Sequence, residues 1–389
     1  MKDSTKRSLN LSIFESVVTA GLLSMPIMTL FYYEIGMNNE QVALSQSIFT
    51  VVMIVLDLPM GWIADRFSRK WANVIGDFGV AIGLLLYSTV NSFSGVVFSE
   101  CILAIFGALS AGVDISLIRH FANKLDKTEN LFKFKMANVA FWQSILAMLL
   151  MVLGGPIGAI DFRLAIALSS VVYFIGGIVS LFIFDDSEKL VPEHKNPLKD
   201  LGRVVVESAK NPKLRLRIFV QAFGRESTHS TIWFFTPILV SCGVPASLVS
   251  IAWVLNYITC AIGAKLANKF SKKLPDWKIF AIPIGLVFVS MGILSVKISL
   301  LTVPFYLFMG AVQGWTSATL RPMTQQHAKA SEQTSVSSVA STVGRIIYAV
   351  AGWLVGMAAD VDLRYAALTN LILFVPIGII ITIKLKRER

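Results

Sequence analysis

Twelve apolar runs, each about long enough for a helix to cross a bilayer, dominate the chain and leave only short polar stretches between them. They fall near residues 9–33, 41–64, 73–91, 94–121, 135–160, 163–184, 214–241, 245–269, 278–296, 299–325, 334–358 and 362–384. A helix crosses the hydrocarbon core with roughly 20 residues. Inside lipid every backbone N–H and C=O must be satisfied within its own segment, so such runs fold as helices. Only 15% of the residues are charged against 55% apolar, well below the roughly one quarter charged of a water-facing domain. Soluble, disordered, collagen-like and disulfide-scaffold classes are excluded. The expected fold is an all-α membrane protein with twelve transmembrane helices.

Charge sets the orientation. The chain carries 35 Lys and Arg against 24 Asp and Glu, a net +11. The excess gathers in alternate loops: Arg66, Arg69 and Lys70, then Lys124, Lys127, Lys133 and Lys135, then Lys269, Lys272 and Lys273, with the C-terminal Lys384, Lys386, Arg387 and Arg389. The intervening loops offer only Arg163, Lys297 and Arg364. By the positive-inside rule both termini are cytoplasmic, as an even number of spans requires. A multi-pass protein of the plasma (inner) membrane is expected, with no nucleic-acid partner. The first run is too long for a signal-peptide core and is read as a retained span. Cys101, Cys242 and Cys260 show neither disulfide nor metal spacing. No phosphate loop of the G-x-x-x-x-G-K-[ST] type is present, so ATP does not drive the protein directly. No cofactor is expected, and a proton gradient is the expected energy source.

The polar segment 185–213 divides the chain into two sets of six spans: a bundle over 1–184, a cytoplasmic linker over 185–213 and a bundle over 214–389. Pro192, Pro197 and Pro212 oppose one continuous helix across the linker, while 198–210 has the pattern of a short amphipathic surface helix. The two sets are copies. Residues 64–70 read A-D-R-F-S-R-K and residues 267–273 read A-N-K-F-S-K-K, an offset of 203. Asp161-x-Arg163-x-Ala165 matches Asp362-x-Arg364-x-Ala366 at an offset of 201. Parallel six-span repeats of this kind are a plan used by secondary transporters.

Gly61-Trp-Ile-Ala-Asp65-Arg66-Phe-Ser68-Arg69-Lys70 resembles the G-x-x-x-D-R-x-G-R-K loop signature of the major facilitator superfamily, between its second and third spans; it departs only at Ser68, where Gly is usual. Asp57-Leu58-Pro59 resembles the acidic lead-in of many bacterial members. The resemblance covers the whole chain and implies a transporter of two pseudo-symmetric bundles, functional as a monomer. It also implies that Asp65 pairs with an Arg at the cytoplasmic end of span four, a place Arg119 occupies, and faces the start of span eleven. The cytoplasmic gate motif is then Gly61, Asp65, Arg66, Arg69, Lys70 and Arg119. Gly154-Gly155-Pro156-Ile157-Gly158 partly resembles the Gly-Pro signature of proton-antiporting drug exporters, with Met151 where an upstream Gly is usual. This similarity points to a bacterial proton-coupled, drug-exporter-like branch.

Ionisable residues inside spans are costly and are functional candidates by default. Glu34 and Glu100 lie near span ends and are expected to be solvated. Asp77 is placed in the first turn of span three, where a carboxylate suits the helix N-terminus. Glu15, Asp57 and Asp114 lie deeper and are candidates for proton coupling or substrate contact. Span seven carries Arg225, Glu226 and His229, and span eleven carries Arg345. Glu226–Arg345 is a candidate interhelical pair that either only fastens two helices or works in transport, Glu226 taking up and releasing a proton while Arg345 or Arg225 meets substrate; Arg225 and Glu226 are expected to serve different neighbours. Two arginines against one glutamate favour an anionic or zwitterionic substrate. Asn256, Tyr257 and Gln313 add possible polar contacts. Phe141, Trp142, Trp233, Phe234, Phe235, Trp253 and Trp315 either line an apolar cavity or, as for most of them, pack and face lipid. The leading expectation is proton-coupled export of a small anionic, zwitterionic or amphipathic compound by alternating access. Uptake of an anionic nutrient by proton symport is second. A non-transporting sensor or scaffold is third, and the intact Asp65 with the deep charges opposes it. His120, His194, His229 and His327 show no catalytic spacing, so no enzyme is expected.

Overall fold

The computed structural model describes residues 2–126, 128–184, 202, 205–208, 210–328 and 333–388. Helix α1 (Lys2–Val18), a 3-10 turn at Met25–Ile27 and α2 (Met28–Glu34) make the first span. Then follow α3 (Asn39–Phe67), α4 (Arg69–Tyr87), the pair α5 (Phe93–Ser110) and α6 (Val113–Leu125), α7 (Asn130–Ile160) and α8 (Phe162–Leu181). The second half repeats this order. Helix α9 (Pro212–His229), a turn at Ile232–Phe234 and α10 (Phe235–Ser241) make one span; α11 (Ala246–Phe270), α12 (Asp276–Val296), α13 (Leu307–Gln325), α14 (Gln333–Val361) and α15 (Leu363–Arg387) make the rest. The twelve spans are all present. The expected surface helix at 198–210, like most of the linker, lies outside the described residues.

Eight of the spans hold a window of 18 residues apolar enough to cross a membrane unaided. The four that do not are the first, third, seventh and tenth. The first and seventh are broken mid-span, and those four spans carry Glu15, Asp77, the Arg225–Glu226 pair and Arg321. Their hydropathy is low where they carry ionisable side chains.

Both breaks are satisfied by the same device. Where the first span opens, the Ser24 N–H donates to Ser169 Oγ on α8 at 3.0 Å. Where the seventh opens, Asn370 Nδ2 on α15 donates to the Ser227 carbonyl at 3.1 Å and to Ser230 Oγ at 2.8 Å. Ser169 and Asn370 are 201 positions apart, the offset of the Asp161 and Asp362 motifs. Those two aspartates are themselves helix caps: Asp161 accepts from the N–H groups of Arg163 and Leu164, and Asp362 from that of Arg364. Backbone groups freed inside a membrane need such side-chain partners.

The chain forms two compact units, Met1–Phe31 with Val52–Pro197 and Tyr32–Val51 with Leu198–Arg389. The boundary therefore differs from the linker division, because the second span up to Val51 sits with the second unit. In the first unit α4 packs on α5 and α8. In the second, α11 and α13 approach so closely that a Cβ at Gly314 would stand 1.8 Å from the Cys260 carbonyl oxygen, and one at Gly263 2.1 Å from that of Ala311. Small residues at helix crossings are the usual route to close packing in membranes, where burial of apolar surface gives little drive. Arg217, absent from the sequence-level candidates, is buried and pairs with Asp276 at 2.9 Å and Glu388 at 3.1 Å. It fastens α9, α12 and α15 at the end where the chain finishes.

Two candidate sites, one in each unit

In the first unit α1, α4 and α6 bring three carboxyl groups together. The Glu15 carboxyl lies within hydrogen-bonding reach of Asp77 and Asn73, and Asp114 is near enough to act on both acids. Ser16 Oγ donates to Asp114 Oδ2 at 2.5 Å, and Gln143 Nε2 donates to Ser16 Oγ at 3.1 Å and to its carbonyl at 2.9 Å. Asn73 donates to Ser180 Oγ at 3.0 Å. Glu15 is 1% exposed and Asp77 3%. One oxygen of each, Glu15 Oε2 and Asp77 Oδ2, has no hydrogen-bond partner. No ion pair neutralises the three acids among the described residues. A Cβ at Gly176 would lie 2.5 Å from Thr19 Cγ2 and 3.2 Å from Asp77 Oδ2, so glycine lets α8 pack closely against this cluster.

This corrects the expected role of Asp77. The third span begins earlier than its apolar run, at Arg69, and Ser68 Oγ caps it by accepting from the Trp71 N–H at 3.3 Å. Asp77 therefore sits in the helix interior, facing Glu15. Ser68 adopts an extended backbone, φ −171° and ψ 128°, so the position where the family signature has Gly needs no glycine here. Glu100 is also corrected: it is 5% exposed and accepts from the Tyr87 hydroxyl at 2.8 Å, while Glu34 is exposed as expected. Asp57 is half-buried on α3.

Of the gate motif, Gly61 lies on α3 with open space around it, and Arg66 stacks over Trp62 at 5.0 Å. Lys70 stacks over Trp71 at 5.6 Å, and Arg69 is half-buried. Arg119 stands 3.9 Å from Glu129 and over the Phe132 ring at 4.7 Å. The Asp65 side chain, and so its expected contact with Arg119, lies outside the described residues. In the export-like segment, Gly154 and Gly158 serve packing: a Cβ at Gly154 would stand 2.0 Å from the Leu23 carbonyl oxygen, and one at Gly158 2.9 Å from Ile27. They make room for the break in the first span.

The second unit contains a cavity of about 490 Å³ between α9, α13 and α14. Arg225, Glu226 and His229 line it, as their spacing on one span implies, together with Gln221, Gln313, Arg321 and three serines of α14. Arg225 Nε stands 3.6 Å from Glu226 Oε1, so these neighbours serve one another rather than different helices. Arg345, half-buried on α14, is close enough for its charge to act on the same carboxyl. The His229 ring packs on Tyr348 at 5.0 Å, and Tyr348 accepts from Trp233 Nε1 at 2.9 Å. Asn256 lies elsewhere, in the α11–α13 seam against Gly310. Trp253 and Trp315 are buried with their ring N–H groups satisfied by Thr236 and the Ile279 carbonyl, whereas Phe141, Trp142 and Tyr257 are outward and exposed. The cavity wall is thus polar rather than aromatic. Arg321 and Gln221 escaped sequence reasoning; the one signal for Arg321 was an arginine inside a run otherwise apolar.

At the far end of the second unit, Asp360 of α14 meets the start of α3. Its carboxylate accepts from the backbone N–H of Asn39 at 2.6 Å and of Glu40 at 3.1 Å. Ser47 Oγ donates to the Ala349 carbonyl at 2.9 Å, and a Cβ at Gly356 would stand 2.3 Å from that of Ala43.

The sequence profile of the Major Facilitator Superfamily matches residues 12–352. An uncharacterised MFS-type transporter, YitZ of Bacillus subtilis, is 24% identical over 165 residues, 42% of this chain and 96% of that one. An uncharacterised transporter of Buchnera aphidicola is 28% identical over 176 residues, 45% of this chain and 41% of that protein. An uncharacterised MFS-type transporter of Methanocaldococcus jannaschii is 25% identical over 114 residues, 29% of each chain. The alignments with the latter two relatives thus span less than half of their length. Among solved structures, the nucleoside transporter NupG superposes with a TM-score of 0.78 at 11% identity, over 99% of this chain and 98% of that one. A bacterial homologue of the human lysosomal transporter Spinster gives 0.76 at 12% identity, over 99% and 96%. At such identities the superpositions speak to the fold alone.

Proposed function

The chain belongs to the Major Facilitator Superfamily and is a membrane transporter, not an enzyme; from that premise we propose that it is proton-coupled, with the proton carried in the first unit and a small organic solute held in the second. The observation that carries this reading is the Glu15–Asp77–Asp114 cluster. Carboxyls gathered this closely repel one another when all are ionised. Three acids without a cation beside them among the described residues, in a medium where unpaired charge is costly, form a group whose protonation changes the energy of the surrounding packing. A proton shifts an alternating-access equilibrium only by its differential affinity for the two states, and burial in one of them supplies such a difference.

Export by proton antiport and uptake by proton symport use the same groups and differ in the sign of the coupled flux. The glycines of the export-like segment have a packing role, which leaves that segment neutral between the two. The polar cavity supports a charged or zwitterionic solute over an amphipathic drug. The lysine and arginine loops support cytoplasmic termini, and the protein is proposed to work as a monomer in the inner membrane.

Spin labels at the far ends of α3 and α14, in protein reconstituted into vesicles, test the coupling without a substrate. Acidification is expected to redistribute the label distances, and Glu15→Gln with Asp77→Asn to suppress the redistribution by about 100-fold in the coupling constant. An unaltered acid response in that double variant would remove the reading.

A further inference from the structure

The cavity of the second unit contains groups of two kinds that are left open. Twelve of its fifteen lining residues are polar, so an apolar or aromatic ligand would strip water from them without replacing it. Arg321 lies on the wall, and its guanidinium has no hydrogen-bond or ion-pair partner among the described residues. Arg225 is 60% exposed at its side chain and, among the described residues, pairs only with Glu226, through Nε at 3.6 Å. These are donors awaiting acceptors. On the same wall are acceptors awaiting donors: Gln221 Oε1 and Glu226 Oε2 are buried and have no hydrogen-bond partner among the described residues. Glu226 is 3% exposed at its side chain, so water does not complete it cheaply. Ser341 on α14 adds a hydroxyl that serves either way.

The two kinds of group define complementary features in one ligand. Guanidinium forks match a carboxylate or phosphate. The orphan carboxylate and amide oxygens match hydroxyl hydrogens. A full ammonium is less suited to Glu226, because Arg225 beside it and Arg345 nearby already offset its charge. With Arg225 and Arg321 against Glu226 the wall itself is net positive. At about 490 Å³ the cavity falls in the ~300–1,000 Å³ range of small-molecule sites.

We propose that this cavity binds a polyhydroxylated organic anion, a sugar acid or sugar phosphate, with Arg225 and Arg321 holding the anionic group and Gln221 and Glu226 accepting from its hydroxyls. The inference rests on the transporter reading and supplies its substrate class. A phosphate or a carboxylate would satisfy the same forks, and the test separates them.

The full chain in nanodiscs is titrated calorimetrically with gluconate, glucose 6-phosphate, glucose, octanoate, glutamine and tetraphenylphosphonium. Gluconate, glucose 6-phosphate or both are expected to bind saturably, with glucose and octanoate at least about 10-fold weaker, since each lacks one half of the recognition. Binding of gluconate alone assigns a carboxylate, and of glucose 6-phosphate alone a phosphate. Arg321→Ala is expected to weaken the binding by about 10- to 100-fold, and Arg321→Lys by less, because it keeps the charge but loses the fork. Gln221→Leu, which removes the amide without removing charge, should weaken gluconate more than an apolar anion. Unchanged affinity in Arg321→Ala overturns the proposal, as does tighter binding of glutamine, octanoate or tetraphenylphosphonium. If no sugar anion binds while the acid response of the spin labels persists, this inference falls and proton coupling stands. If the acid response is absent, proton coupling falls whatever binds here.

Discussion

The two halves share one ancestral plan and have spent their intramembrane charge in opposite ways. The first half gathers three acids, Glu15 and Asp77 buried and Asp114 half-buried, with no cation to meet them among the described residues. The second half surrounds one buried acid, Glu226, with arginines and polar hydroxyls. Smaller motifs diverge in the same manner. In the D-x-R repeat, Arg163 donates to the carbonyls of Ser88 and Val90 at 2.9 Å each and lies over the Phe31 ring, tying α8 to its neighbours. Its counterpart Arg364 folds back on its own cap, Asp362, at 2.7 Å. The caps at the two mid-span breaks, Ser169 and Asn370, differ in chemistry but hold the same place. A duplicated scaffold keeps its backbone repairs and frees its ionisable positions to specialise.

The comparison can be pressed hardest at Arg217, which has no basic counterpart in α1. Arg217→Met is expected to lower the stability of the second half by about 3 kcal/mol, since it leaves Asp276 and Glu388 without their cation; both acids are partly exposed, which holds the loss below that of a fully buried pair. Proteolysis of the vesicle-embedded chain should then release fragments from the second half first. Equal susceptibility of the halves would show that the network adds nothing specific to one of them.

A smaller effect is expected at Asp360. Removing the charge with Asp360→Asn should cost about 1 kcal/mol at the α3 N-terminus, a roughly 5-fold change in the population with α3 and α14 ends together. Label distances between those ends read it directly. An unchanged distribution would make the contact incidental.

The smallest concerns the D-x-R caps. The Arg364 side chain and N–H hold the Asp362 carboxyl, in the turn before α15, below the usual carboxylate range. A depressed folded-state value means its contribution is present above the ordinary carboxylate range and disappears as pH falls through the lowered value. Unfolding of Asp362→Asn should therefore match the parent protein in strong acid and fall slightly short of it near neutrality. A gap that persists in strong acid would mean the cap acts through packing instead.

Much of the fold was legible because hydropathy and basic loops write a membrane protein's path directly into its sequence. The mid-span breaks were not, since Ser24 and Ser230 look like any serines until Ser169 and Asn370 come beside them. Among the candidate residues, Glu15, Asp114, Arg225, Glu226 and His229 were readable as charge in apolar runs. Asp77 misled because the apolar run starts about one turn after its helix does, which places the acid in a first turn of the run although it lies about two turns inside a helix already capped by Ser68. Arg321 was passed over because it stands near the end of its run, where an arginine reads as an orientation signal. Asn256 was polar at the right depth but on the wrong face, which hydropathy does not resolve.

The contact made by Asp360 has a consequence for how this protein varies through descent. Its carboxylate is received by main-chain amides, which persist whatever side chains occupy positions 39 and 40. The Asp360 contact itself therefore tolerates any residue but proline on that side, whereas the Asn39 side chain, which donates to the Ala359 carbonyl at 3.1 Å, and that of Glu40, which accepts from Trp353 Nε1 at 3.3 Å, add separate contacts to α14. Covariation between the two helix ends would not reveal it, because one partner has nothing to vary.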